Sequence, residues 1–442
     1  MSPDPLPPWA QPGITDVFAA RAFLAALTHP ETLTLTSTDA DVGYPLTRLG
    51  HRFRGHGMCV SRSHLAATPP NGDLVAYHRS LGLGPERVFC PAVVSHRTPL
   101  AALVLNDQAL CARLRADRSL ARILLSFKDR AGAALVDRLD LIPAYCTPAP
   151  EAYETANDKL AFAEAGERYG FDTVPTRVVR GADALEAAFE AGAARWGAGC
   201  ALRLRRGAGG RDIHHARTLG AARRIGRRLA ARGDVLVASW VPSSLVVRNV
   251  ATHGIVSAAG FAPLVFSEQV LRGCVFRGGR VAREWDAREV AVIQTALARI
   301  ARWLADLGYV DAPAGIDGLL VREGERLRFL ALDPNVRLTG TMIPWAAVAK
   351  LSEAAGRSFL WQFEWMRMLG PALTFERLRR ALGPDLLVPG ALERGGVLPA
   401  FVRTTRLGPL GASSLRVILL AHDEAHLARL RARVRALGLI HR

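Results

Sequence analysis

The chain has 442 residues, 50% of them hydrophobic, and a formal net charge of +17. That length permits large cores and two or three domains. The charge invites a nucleic-acid partner, but its make-up argues against one: the only lysines are Lys128, Lys159 and Lys350, and the arginines are spread along the chain. Their clearest cluster, Arg223, Arg224, Arg227 and Arg228, has helical spacing and no interleaved aromatic residues, so it reads as a solvated helix face.

Cys59, Cys90, Cys111, Cys146, Cys200 and Cys274 lie far apart, with no CxxC pair and no Cys/His cluster at zinc spacing, as expected of buried thiols in a reducing compartment. The lead Met1 to Pro8 is too rich in proline for a signal peptide, and no apolar stretch approaches the roughly 18 residues of a membrane span. A soluble, cytoplasmic protein without a membrane partner is expected.

In chain order, Thr15 to Leu27 has the spacing of an amphipathic helix, and Thr32 to Thr36 alternates as a strand. Val88 to Ser95 and Leu100 to Asn106 read as strands, and Leu110 to Leu125 as an Arg-rich helix. Strands alternating with helices suggest an α/β layer of about 150 residues, and no GxGxxG fingerprint marks it as dinucleotide-binding. Leu141-Ile142-Pro143 and Thr147-Pro148-Ala149-Pro150 read as a linker. A helix follows at Asn157 to Tyr169, then strands, including Val235 to Val241, and a glycine-rich loop at 207–210. Near the end, Arg416 to Ala421 reads as a strand and Glu424 to Leu437 as a helix.

The most informative stretch is Gly315 to Val321 followed by Phe329 to Thr341. Two strand-length apolar runs flank a polar segment, Arg322 to Arg328, that contains Gly324 and reads as a hairpin turn. Asp317 lies on the first strand, Asp333 and Asn335 on the second. Side chains two apart share a strand face, and the neighbouring strand can bring Asp317 beside them. Three oxygen donors on a rigid hairpin suit Mg²⁺ shared with nucleotide phosphates, and Arg337 could meet a phosphoryl oxygen or a carboxylate bidentately. An ordinary β-hairpin with an acidic turn is the alternative.

This hairpin resembles the metal-binding core of the ATP-grasp ligases, an acid followed by Glu-x-Asn-x-Arg on the next strand. Asn157-Asp158-Lys159 with the helix to Gly166 and then Val174-Pro175 is similar to that family's opening segment, whose lysine touches phosphates. Ala201 to Asp212 resembles its strand and mobile glycine loop, which lets backbone N–H groups approach phosphates. Val235 to Val241 resembles the hinge strand that meets adenine. Three positions depart from the pattern: Arg203 replaces a lysine, Ala238 a glutamate, and Asp333 the bridging glutamate. Ser244 to Arg248, Ser267 to Phe276, Leu141 to Gly166 and Gly395 to Leu437 are similar to the pheganomycin-type peptide ligases.

The resemblance implies an α/β and α+β fold: a pre-ATP-grasp, Rossmann-like N-terminal domain (1–150), an ATP-grasp domain (151–345) and a small C-terminal α+β domain (346–442). It implies an ATP-dependent carboxylate–amine ligase working through an acylphosphate on amino acids or small peptides, in a biosynthetic pathway. Asp317, Asp333 and Asn335 would hold Mg²⁺. Lys159, Arg203, Gly207, Gly209 and Gly210 would hold the phosphates of ATP, and Ser239, Trp240 and Val241 the adenine. Arg337 would steady the transferring phosphoryl group or the acylphosphate, Arg272 is a candidate for a substrate carboxylate or phosphate, and His214 and His215 could accept a proton from the amine. A dimer through the N- or C-terminal part is a reasonable arrangement. The rival reading, drawn from the three departures, is a non-catalytic nucleotide-binding partner or scaffold.

Overall fold

A computed structural model describes residues 6–36, 59–93, 95, 98–126, 128–146, 148–207, 209–210, 212–281, 284–370, 373–407 and 410–437. The proline-rich lead Met1 to Pro5, and Ala208 and Arg211 of the glycine loop, lie outside those residues.

Among the described residues, three sheets organise the chain. In the first, β1 (Thr32–Leu35), β2 (Ser63–Leu65), β3 (Arg87–Phe89), β4 (Arg122–Leu125) and β5 (Ile142–Pro143) are all parallel, in the order β3-β2-β1-β4-β5. The order reverses at β1, as in doubly wound α/β layers. The helix Val17–Thr28 leads into β1, capped by Asp16, whose carboxylate accepts from the Ala19 N–H at 2.9 Å.

Two expectations fail in this layer. Leu100–Asn106 is a helix, not a strand: Leu100, Ala101, Leu103 and Val104 are buried at helical spacing between Pro99 and Asp107. Short apolar runs fit either period. The expected helix from Leu110 to Leu125 divides into Gln108–Ala116 and β4. β4 is buried from Ile123 to Leu125, and such strands lack the alternation that marks a half-exposed one. Among the described residues, Val88 to Ser95 contributes only Val88 and Phe89 of the short β3, and β5 lies inside the stretch read as a linker.

Two buried histidines anchor this layer, His64 within it and His78 to the strand Gly396–Leu407 of the third sheet. His64 on β2 lies 3.0 Å from Ser61 Oγ, and His78 Nε2 donates to the Pro399 carbonyl at 2.7 Å. Burial lowers their pKa values to about 3 and about 4, the His78 hydrogen bond opposing its shift. The unfolded chain therefore takes up protons below about pH 6.5 that the folded chain refuses, so each histidine lowers stability as pH falls. At pH 5 the effect is about 2 kcal/mol per histidine. A His78→Gln variant, whose amide can still reach Pro399, is expected to lose less stability than the parent between pH 7 and 5, read by denaturant titration. Equal losses would contradict this assignment.

The second sheet, in the order β6-β9-β7-β8, is antiparallel: β6 (Thr176–Val179), β7 (Cys200–Leu204), β8 (His214–Ala216) and β9 (Val235–Ser239). The helices Ala182–Ala194 and Leu219–Ala230 cover one face through Leu185, Phe189, Ala222 and Leu229.

The third sheet contains β10 (Val246–Ser257), β11 (Gly260–Arg272), β12 (Val275–Val281), β13 (Ala312–Glu323), β14 (Arg326–Asn335), β15 (Leu360–Gly370), β16 (Gly396–Leu407) and β17 (Leu410–Ala421). Their order is β14-β13-β10-β11-β12-β15-β17-β16, so the tail strands continue the sheet that holds the hairpin. The helix Ala287–Asp306 buries Ile293, Leu297, Ile300 and Leu304 against Phe266, Ile316 and Phe329. Lys159–Tyr169 joins the same core, with Phe162 5.5 Å from Trp303 between ring centroids. That packing fixes where the helix begins, and therefore where Lys159 sits. Among the described residues no helix is long and apolar enough to cross a membrane.

Candidate active site

The β13–β14 hairpin forms as the sequence predicts, but its turn narrows to two residues. Gly324 takes a φ of +61°, while the polar residues on either side remain strand. In the register, Asp317 lies opposite Asp333 and Gly315 opposite Asn335. The Asn335 amide donates to Asp317 Oδ2 at 2.8 Å, and Gln269 on β11 also bonds the Asp317 carboxylate. Burial, then the charge of Asp333, pushes the Asp317 carboxyl up to about 7, while Arg337, Asn335 and Gln269 pull it down. Two facing carboxylates in such a place call for a cation.

Three basic side chains surround this pair. Lys159 is buried; its ammonium lies 3.0 Å from Asp333 Oδ1 and donates to the Gly207 carbonyl at 2.6 Å. Asp158 caps the helix by accepting from Leu160 and Ala161 N–H, and its other oxygen holds Arg205 at 2.6 Å. Arg203 on β7 is buried and donates to the Leu332 carbonyl at 3.1 Å. Burial lowers its pKa, and nearby Asp333 raises it. Arg337 donates to Asn335 Oδ1 and, at 3.5 Å, to Asn157 Oδ1.

The glycine loop closes over this centre. Gly210 takes a φ of +70°, and a Cβ there would lie 1.7 Å from the Cys274 carbonyl oxygen. The Gly209 carbonyl accepts from the Phe276 N–H at 3.2 Å. Backbone of the small sheet thus meets the β11–β12 turn of the large one, with no room for side chains between them.

Between the two sheets is a cavity of about 550 Å³. At one end Val174, Ala201, Ala238, Val241 and Leu332 form an apolar slot. The Trp240 indole stacks on His215 there, centroids 4.0 Å apart and planes 9° from parallel. The N–H groups of Ser239 and Trp240 are engaged by the Pro175 and Gly199 carbonyls at 3.1 Å each. Arg203, Gly209, Gly210, Asp317, Asp333, Asn335 and Arg337 line the same cavity. Lys159 and Gly207 line an adjoining pocket of about 280 Å³ with Tyr153, Asn157, Arg206 and Arg130, and Asp333, Asn335 and Arg337 line both spaces.

Arg272 is exposed and is not among the residues lining either space, although its neighbours Leu271 and Gly273 line the larger one. Both histidines after the loop lie on strand β8, and only His215 lines the cleft. Its Nε2 donates to the Ala198 carbonyl at 2.7 Å, whereas His214 accepts from Arg228. Sequence reasoning missed Asn157, Gln269, His253, Thr339 and Trp365 as cleft residues. Asn157 adjoins Asp158 and Lys159, Thr339 follows Arg337 by two residues and Gln269 lies within Ser267 to Phe276, so these could have been found there; His253 and Trp365 come from distant strands with no local signal.

Among the described residues no three His, Cys, Asp or Glu side chains gather as a metal site. The oxygen donors here are two carboxylates and one amide. No family model and no curated protein matches the chain. Solved structures do. N5-carboxyaminoimidazole ribonucleotide synthetase from Thermus thermophilus is 19% identical, with 92% of this chain and 98% of that chain covered at a TM-score of 0.52. Biotin carboxylase from Campylobacter jejuni is 13% identical, covering 93% and 91%, at 0.55. The biotin carboxylase domain of Hydrogenobacter thermophilus 2-oxoglutarate carboxylase, in complex with MgADP, ADP and bicarbonate, is 14% identical, covering 92% and 89%, at 0.54. The likeness is one of fold and spans more than nine-tenths of the chain: a mixed α/β architecture with a parallel sheet and a large antiparallel one, matching these ATP-grasp structures.

Proposed function

We propose that the protein is an ATP-dependent carboxylate–amine ligase of the peptide-ligase type. The observation that carries this reading is the facing pair Asp317 and Asp333 with Asn335, ringed by Lys159, Arg203 and Arg337 under a glycine roof. A hard divalent cation fits that donor set, because it offsets both causes that raise the Asp317 pKa, burial first and then the charge of Asp333. Asp317, Asp333 and Asn335 are its proposed ligands. Mg²⁺, when bound, would neutralise phosphate charge.

Lys159, Arg203 and the backbone of Gly207, Gly209 and Gly210 are proposed to hold the phosphates. The apolar slot would take the adenine. With the Ser239 and Trp240 N–H groups already engaged, the base would meet Val241 and the carbonyls of that hinge. The acid is proposed to enter through the smaller pocket, where Lys159, Arg130, Arg206 and Arg337 favour an anion. Phosphoryl transfer to it gives an acylphosphate; the amine then attacks the carbonyl carbon, and phosphate leaves. Arg337, which lines both spaces, would steady the group in transfer. The pheganomycin-type assignment rests on the sequence likeness of Ser244 to Arg248, Ser267 to Phe276, Leu141 to Gly166 and Gly395 to Leu437.

One observation favours the rival, a nucleotide-binding partner without turnover. Arg203 is buried and donates to a backbone carbonyl. ADP release from Mg-ATP, measured with mixtures of amino acids and dipeptides, separates the two. The ligase reading expects release that depends on both an acid and an amine. Tight Mg-ATP binding with no release in any mixture would favour the rival.

A further inference from the structure

The slot and the charged centre account for a nucleotide, yet the cavity has a third kind of wall. It is also lined by Phe276, Leu338, Thr339, Thr341 and Trp365. Phe276 on β12 meets the edge of Trp365 on β15, centroids 5.7 Å apart and planes at 89°, so two aromatic rings form a fixed corner. Thr339 follows Arg337 by two residues, which joins this corner to the polar centre.

The Thr339 hydroxyl has a defined polarity. Ser267 Oγ donates to the Ala251 carbonyl at 3.2 Å, so it accepts from His253 Nε2, also at 3.2 Å. The other ring nitrogen, Nδ1, is then an acceptor, and it takes the Thr339 hydroxyl proton at 2.9 Å. His253 is 3% exposed, and burial lowers its pKa, so the ring is held neutral. Gly315 permits this approach: a Cβ there would lie 2.6 Å from Thr339 Cγ2 and 3.0 Å from His253 Nδ1. With its proton committed to His253, the Thr339 oxygen can only accept from anything in the cleft. That suits an N–H donor.

We propose, resting on the ligase reading, that this end of the cleft binds the amine substrate. Its nitrogen would donate to Thr339 Oγ1, and its apolar or aromatic side chain would lie in the Phe276–Trp365 corner. The acceptor class is therefore an amino acid or peptide with a large apolar N-terminal side chain, not a glycine-like one. Burying such a side chain favours it over glycine by about tenfold or more.

The test is saturation-transfer NMR on the full chain with Mg²⁺ and a non-hydrolysable ATP analogue. The probes are phenylalaninamide, leucinamide and glycinamide, and nucleotide affinity of the unaltered protein is measured in parallel. The first two amides are expected to bind more tightly than glycinamide. Trp365→Ala should bring all three to the glycinamide level, and the milder Trp365→Phe should keep part of the preference, each variant being confirmed as folded by its melting transition. Equal binding of the three amides, or a preference that survives Trp365→Ala, would overturn the assignment. Nucleotide binding with no amine binding would overturn the subsite and leave the ligase reading intact; amine binding without nucleotide binding would do the reverse.

Discussion

Replacing Lys159 with alanine is expected to lower Mg-ATP affinity by about 100-fold and to lower the melting temperature by several degrees. Lys159 is buried and is the cation paired with Asp333 at 3.0 Å. Its loss leaves Asp333 facing Asp317 across the hairpin with less compensating charge. Removing one partner of a fully buried pair costs about 3 to 5 kcal/mol. The Asp333 side chain is 19% exposed, so water screens part of the loss and a smaller figure is expected here. Mg²⁺ added without nucleotide should restore part of the variant's thermal stability, because it supplies the missing positive charge. Calorimetry and thermal melts with and without Mg²⁺ measure both effects. Unchanged nucleotide affinity would remove Lys159 from the site.

A second large effect is expected at the roof of the cleft. Gly210→Ala should weaken nucleotide binding by about 10- to 100-fold while leaving the three sheets folded. Two causes act together. A φ of +70° disfavours any residue with a Cβ, and that Cβ would lie 1.7 Å from a backbone oxygen of Cys274, which no rotamer change can relieve. The loop must lift, and its N–H groups move away from the proposed phosphates. Gly220→Ala, where a Cβ meets nothing within 4 Å, is the control. Equal affinities for the two variants would show that the roof is not part of the site.

The hairpin was legible because its information is local. Two apolar runs, a glycine turn and acids spaced two apart on one strand face specify both the element and the side that carries the chemistry. Asp158 and Lys159 were legible for the same reason, as a cap and the first residue of a helix. The strand Val235–Ser239 also stands where its apolar run placed it. Leu100–Asn106 and Leu110 to Leu125 were misread because buried α/β segments lose the exposed face that distinguishes the two periods. The continuation of the large sheet into the tail is not legible, because the pairing of β12 with β15 joins segments about 80 residues apart, which no local pattern encodes. The wall proposed for the amine is hidden likewise: Phe276, His253 and Trp365 are far apart in sequence and become one surface with Thr339 only when the sheet assembles.

The central claim is that Asp317, Asp333 and Asn335 form a metal centre serving a nucleotide. A calorimetric titration of Mg-ATP into the unaltered protein and into Asn335→Ala tests it most directly. Asn335 carries little of the core and holds Asp317 through a single hydrogen bond donated by its side-chain amide at 2.8 Å, so the variant should fold. Micromolar binding that requires Mg²⁺ and is lost in Asn335→Ala is the predicted result. Binding that persists unchanged in the variant, or that is equally tight without Mg²⁺, would contradict it.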